Sequence, residues 1–167
     1  TEIVALDGKT LRRSFDRGRN QSPLHMVNAW SSSFGLALGQ MAVDGKSNEI
    51  TAVPKLLEWL NISGCIVTAD ALLTQKEISQ QVLRQHGDYV LALKGNQGRL
   101  YKEVCSAFDG MQQDKLTCKV QDYVKTVDAD HGRIETRHYW ITSDLGFLQG
   151  LAWPGLTSIG IAETQFE

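Results

Sequence analysis

Cysteine is scarce and poorly spaced for structural work. Cys65, Cys105 and Cys118 form no C-x-x-C pair, so neither a zinc ribbon nor a disulfide framework is supported. Free thiols fit a reducing cytoplasm. No apolar run approaches the ~18 residues a membrane span needs, and no signal-peptide pattern opens the chain. An excess of positive charge is also missing: 17 Lys and Arg stand against 19 Asp and Glu, a formal net charge of -2. Any DNA affinity must therefore come from local basic segments or from outside this chain. The K-G-N-Q-G run from Lys94 lacks the length and the Lys-Ser/Thr ending of a P-loop, which argues against a nucleotide cofactor. His25, His86, His131 and His138 show no zinc-ligand spacing.

What is present reads as an α/β chain. Its 167 residues, 42% hydrophobic and 22% charged, suit one globular domain or a domain with a small appendage. Two short apolar runs, residues 3–6 and 65–69, each end on an aspartate, Asp7 and Asp70. If both are strands of one sheet, two carboxylates stand at strand ends, where open α/β sheets hold their ligands. Paired carboxylates suit a hard divalent cation, Mg2+ or Mn2+.

Residues 24–30 and 36–43 predict an antiparallel hairpin closed through Ser31-Ser32-Ser33-Phe34-Gly35. Apolar positions Ile50, Val53, Leu57 and Leu60 predict a helix, with Pro54 placing its regular start near Val53. Thr74 and Glu77 have capping-box spacing for a second helix, and Gly87 suits its C′ position. Residues 89–93 complete a βαβ unit, and their continuous apolar character suits strands covered on both faces. A helix over 100–108 ends at Gly110, and from about residue 111 the texture turns β-rich, with strands over 119–127, 134–142 and 158–162.

Lys9, Arg12, Arg13, Arg17 and Arg19 form a basic loop segment. It is either a solvated loop or a phosphate-contacting arm. Lys9 lies two residues from Asp7 and shares its face if the strand continues. Lys94, Asn96 and Gln97 follow a strand on the sheet edge of Asp70. They suit phosphate binding, orientation of a carboxylate, or simply a polar loop.

The runs ALDGKTLRRS, DGKSNEITAVPKLLEWL, IVTADALLTQKEI, GDYVLALKGNQ and HGRIETRHYW together resemble bacterial insertion-sequence transposases of the H-repeat-associated type. The resemblance runs in order from residue 3 to the C-terminal end. It implies a ribonuclease H-like mixed sheet flanked by helices, carrying an Asp-Asp-Glu triad, with Asp7 and Asp70 as the first two acids and metal ligands. It also implies DNA strand cleavage and joining by metal-dependent phosphoryl transfer at transposon ends. Lys9, Arg12, Arg13, Lys94, Asn96 and Gln97 become candidate DNA contacts. The triad glutamate of that family lies in a helix beyond the β-rich insertion, and no matching block occurs here. Glu49 reads as a helix N-terminal residue and Glu135 as an ion-pair partner of Arg137. Glu163 and Glu167 have no special context, and none of the four is taken as the third acid.

The expectation is therefore a C-terminally truncated catalytic region. Residues 1–110 form an incomplete core and 111–167 part of a β-rich insertion. An incompletely covered sheet face favours self-association. A catalytically dead remnant that binds DNA or a partner is the alternative, and an unrelated ribonuclease H-like nuclease a weaker one.

Overall fold

Alternation along the first strand sets the architecture. In β1 (Ile3–Thr10) Val4 and Leu6 are buried, whereas Ile3, Asp7 and Lys9 are exposed, as successive strand side chains point to opposite faces. The computed structural model describes residues 1–11, 14, 23–43, 49–112, 119–130, 133–148 and 150–166. Contacts divide the chain into two compact units, Thr1–Asn96 and Gln97–Glu167.

The first unit is a five-stranded mixed sheet in the order β3-β2-β1-β4-β5. β2 (His25–Ser31) and β3 (Leu36–Val43) run antiparallel to their neighbours. β4 (Ile66–Ala69) and β5 (Asp88–Leu91) add in parallel. The parallel pairs need crossovers, supplied by α1 (Glu49–Glu58) and α2 (Lys76–Arg84). One core joins Val4, Leu6, Val27 and Val67 of the sheet to Leu56 and Leu57 of α1 and to Ile78 and Val82 of α2. Both helices thus cover the same face. On the other face Ile3, Trp30 and Val90 are 40%, 46% and 63% exposed. The expectation is of apolar strands covered on both sides; within the first unit α1 and α2 cover one.

Three local readings are also corrected. α1 begins at Glu49, with Pro54 inside it; burial of Ala52, Val53, Leu56 and Leu57 along one stripe outweighs the amide hydrogen bond that proline cannot make. Gln75, not Thr74, is the N-cap of α2, and it makes no side-chain cap bond. His86 at φ 59° occupies the left-handed position expected of Gly87. Gly87 is confined by space instead: a Cβ there would lie 3.0 Å from the Ile62 carbonyl oxygen.

The second unit opens with α3 (Gly98–Gln112), which buries Val104, Ala107 and Phe108. A single 3-10 turn at Gly146–Leu148 contacts it. β6 (Asp122–Asp130), β7 (Arg133–Thr142) and β8 (Ile159–Phe166) form an antiparallel meander. Arg137 Nε donates to Glu135 Oε1 at 2.6 Å, the ion pair expected for that glutamate. Tyr123, His138 and Trp140 stack along one face, with ring centroids 5.5–6.0 Å apart. Tyr123 is 46% and Tyr139 37% exposed, so these tyrosines are surface groups.

Candidate active site

The two acids are brought together by strand register. β1 and β4 pair in parallel with Leu6 opposite Ala69, and the next residues are Asp7 and Asp70. Neighbouring strands lie about 4.8 Å apart, so the register makes the two residues neighbours in the sheet at the end of β4. Both are exposed. Asp7 is still within β1, with Asn28 of β2 as its cross-strand partner.

Asp70 lies just past its strand and shapes the turn that follows. Its Oδ1 accepts the backbone N–H groups of Leu72 at 3.0 Å and Leu73 at 3.2 Å, the local pairing that favours Asp at turns. Thr74, 3% exposed, turns its hydroxyl to two carbonyl oxygens, Ala92 at 2.6 Å and Asp70 at 3.1 Å. Asn96 donates from Nδ2 to the Ala71 carbonyl at 2.5 Å. The sequence reading missed Thr74 because capping-box spacing offered it a local role. Its partner Ala92 is 18 residues away, and no local signal encodes that.

Around Asp7 the open sheet face forms a groove of about 580 Å³, lined by Asp7, Lys9, Leu11, Met26, Asn28 and Trp30 among others. Lys9 shares the Asp7 face, as expected for residues two apart on a strand. On the opposite face Glu49, 3% exposed, rests its carboxylate against Gly8. A Cβ on Gly8 would fall within 2.7 Å of Glu49 Oε1 and nearer still to Cδ and Oε2. Glu49 therefore backs the strand that carries Asp7. The signal available in sequence was a glycine directly after the aspartate.

Lys94 is exposed, and Gln97 belongs to the 3-10 turn Gly95–Gln97 that opens the second unit's side of the chain. Arg12, Arg13 and Glu167 lie outside the described residues. Among the described residues no three His, Cys, Asp or Glu side chains cluster closely enough to hold a metal ion. No helix among them is long and apolar enough to cross a membrane.

Comparison with known proteins agrees with these blocks. A family profile described as "Transposase DDE domain" matches residues 1–149. An uncharacterized protein in the dhlA 3′ region of Xanthobacter autotrophicus is 42% identical over 165 residues, 98% of this chain and 54% of that protein. The H repeat-associated putative transposase YhhI of Escherichia coli K12 is 42% identical over 136 residues, 81% of this chain and 35% of that protein. Putative transposase YncI of Escherichia coli O157:H7 is 37% identical over 172 residues, 96% of this chain and 41% of that protein. The chain thus spans about half or less of the length of these relatives. A solved piggyBac transposase synaptic complex with hairpin DNA aligns at a TM-score of 0.43 and 12% identity, over 81% of this chain and 30% of that one. The extent of the profile match leads to one conclusion: the chain belongs to the transposase DDE-domain family.

Proposed function

We propose that this chain forms part of the catalytic region of a DNA transposase, a ribonuclease H-like core that supplies Asp7 and Asp70 to a metal-dependent phosphoryl-transfer site. The observation that carries this reading is the β1/β4 register, in which the two aspartates follow the paired residues Leu6 and Ala69. The sheet order, three antiparallel strands followed by two parallel ones, supports the fold assignment. In this reading residues 1–110 are core and 111–167 insertion.

Asp7 and Asp70 would hold Mg2+ or Mn2+. The donor set fits: both are exposed oxygen ligands, and magnesium takes only one or two protein carboxylates, leaving its other positions to water and phosphate. A divalent ion bound there supplies charge stabilisation to the attacking and leaving oxygens of a phosphodiester. The chain's own residues bind and orient. Lys9, with Arg12 and Arg13 of the same basic sequence segment, and Lys94 and Gln97 beyond β5, would contact the phosphates of transposon-end DNA. The exposed face of the sheet favours self-association, and the work would be done in the bacterial cytoplasm.

One observation favours a second reading. No third acid joins the pair among the described residues, which suits a remnant that binds DNA or a partner without cleaving. Calorimetric titration with Mn2+ tests the site: Asp7→Ala and Asp70→Ala are each expected to weaken binding at least tenfold. Affinity within twofold of the parent in both variants refutes the assignment. A plasmid-nicking assay on the metal-loaded protein then separates enzyme from remnant.

A further inference from the structure

Asp70 is useful to a metal only if its free oxygen points the right way, and the turn after β4 decides that. Oδ1 is occupied by the Leu72 and Leu73 amides, while Oδ2 accepts no hydrogen bond among the described residues. The direction of Oδ2 is therefore set by the path of residues 70–74. That turn is buried at Ala71, Leu73 and Thr74, which are 7%, 1% and 3% exposed. Its buried carbonyls need donors, because an unpaired buried backbone group costs about as much as a lost hydrogen bond.

The donors come from the turn itself and from one distant segment. The Ala71 carbonyl receives Asn96 Nδ2 at 2.5 Å, beside a longer contact of 3.4 Å from the Thr74 amide. The Thr74 hydroxyl ties the same turn to the Ala92 carbonyl at 2.6 Å. The Ala92 amide in turn donates to the Ala69 carbonyl at 3.1 Å, one step past the β4/β5 ladder. Residues 92–96 thus clamp the Asp70 turn at three points. Asn96 is held for this task by the 3-10 turn Gly95–Gln97. One of its two amide N–H groups is committed to the Ala71 carbonyl, which fixes the side chain's orientation toward the turn.

We propose that Asn96 is a positioning residue for Asp70, acting through the Ala71 carbonyl with Thr74 as its second tie, and is not a DNA contact. The inference rests on the metal-site reading above. Partners that orient a ligand without touching the metal typically contribute about 10–100-fold to metal affinity.

The test uses the chain as it stands. Asn96→Ala and the near-isosteric Asn96→Leu both remove the donor. Thr74→Val removes the hydroxyl, and Thr74→Ser keeps it. Amide hydrogen exchange is followed at Leu72 and Leu73 without metal, against Val4 and Val67 in the core strands, and Mn2+ affinity is measured by calorimetry. The expected result is about tenfold faster exchange at Leu72 and Leu73 in both Asn96 variants and in Thr74→Val, with Val4 and Val67 unchanged. Mn2+ binding weakens about tenfold in the same three proteins, and Thr74→Ser matches the parent. Exchange and affinity within twofold of the parent in both Asn96 variants overturn the proposal. So does loss of affinity for a duplex of transposon-end DNA in metal-free buffer with Mn2+ binding intact, which would make Asn96 a DNA contact. If the parent itself binds no Mn2+, the metal-site reading fails, and exchange at Leu72 and Leu73 alone decides whether Asn96 holds the turn.

Discussion

Replacing Gly8 with alanine puts a methyl group where the Glu49 carboxylate already sits. The added carbon would come within 2.7 Å of Oε1 and closer to the rest of the carboxylate, well inside van der Waals contact. Gly8 is an ordinary strand residue paired with Val27, so space and not backbone conformation requires the glycine. Overpacking of this kind costs about 1–3 kcal/mol. Alanine recovers ~0.4–1 kcal/mol by restricting the unfolded chain, which leaves a net loss of up to about 2.5 kcal/mol. Glu49→Ala alone costs about 1–3 kcal/mol, because it strips a buried carboxylate from its polar partners. Once the carboxylate is gone, the Gly8 methyl meets free space. The double variant is then less destabilised than the sum of the singles by at least ~1 kcal/mol, a coupling expected of residues in contact. Urea denaturation with an unchanged m-value measures all three. Additivity within about 0.5 kcal/mol, the behaviour of distant sites, would refute the claim that Glu49 backs the Asp7 strand.

Two further perturbations follow from local geometry. Glu2 Oε1 accepts the Ser31 hydroxyl at 2.6 Å and the Ser33 amide at 3.2 Å, and these bonds, Ser31 first, hold its carboxyl below the ordinary glutamate range. A depressed folded-state pKa means stability that is fully present above the unfolded value of about 4.3. It is lost as pH falls through the folded value. Glu2→Gln should flatten the stability profile on that acid side, and an unchanged profile between about pH 5 and 2 would count against it. His86→Gly should raise stability by about 0.5–1 kcal/mol, since glycine relieves the left-handed φ of 59°. A loss of stability in thermal unfolding would mean that the imidazole contributes more than the strain it causes.

Much of the fold was legible wherever local periodicity carries the information. The alternation of β1, the stripe of α1, the β2–β3 and β6–β7 hairpins and the pairing of Glu135 with Arg137 all rest on residues within a few positions of one another. What was not legible depends on distant partners. Thr74 has the spacing of a cap, yet a carbonyl 18 residues away takes its hydroxyl. Gly87 and His86 compete for one position, and packing of Gly87 against the Ile62 carbonyl decides between them. Pro54 suggested a late helix start, and burial of the α1 stripe overrode it. At the site, each aspartate could be found at the end of its apolar run. That Leu6 faces Ala69, which makes neighbours of Asp7 and Asp70, is a matter of register between strands far apart in sequence.

That same pairing has a kinetic side. β1, β2 and β3 form a meander of local contacts, but β4 reaches β1 only after a loop of roughly 60 residues closes between Ile3 and Ile66. Long-range parallel pairing is slow because closure entropy is lost before contacts compensate it. The β1–β4 pairing that makes neighbours of Asp7 and Asp70 is accordingly expected to form later than the local β1–β2 and β2–β3 contacts. If Asp7 and Asp70 hold a metal as proposed, acquisition of Mn2+ affinity during refolding would mark the docking of β4, and substitutions in the α1 stripe would delay it without touching either aspartate.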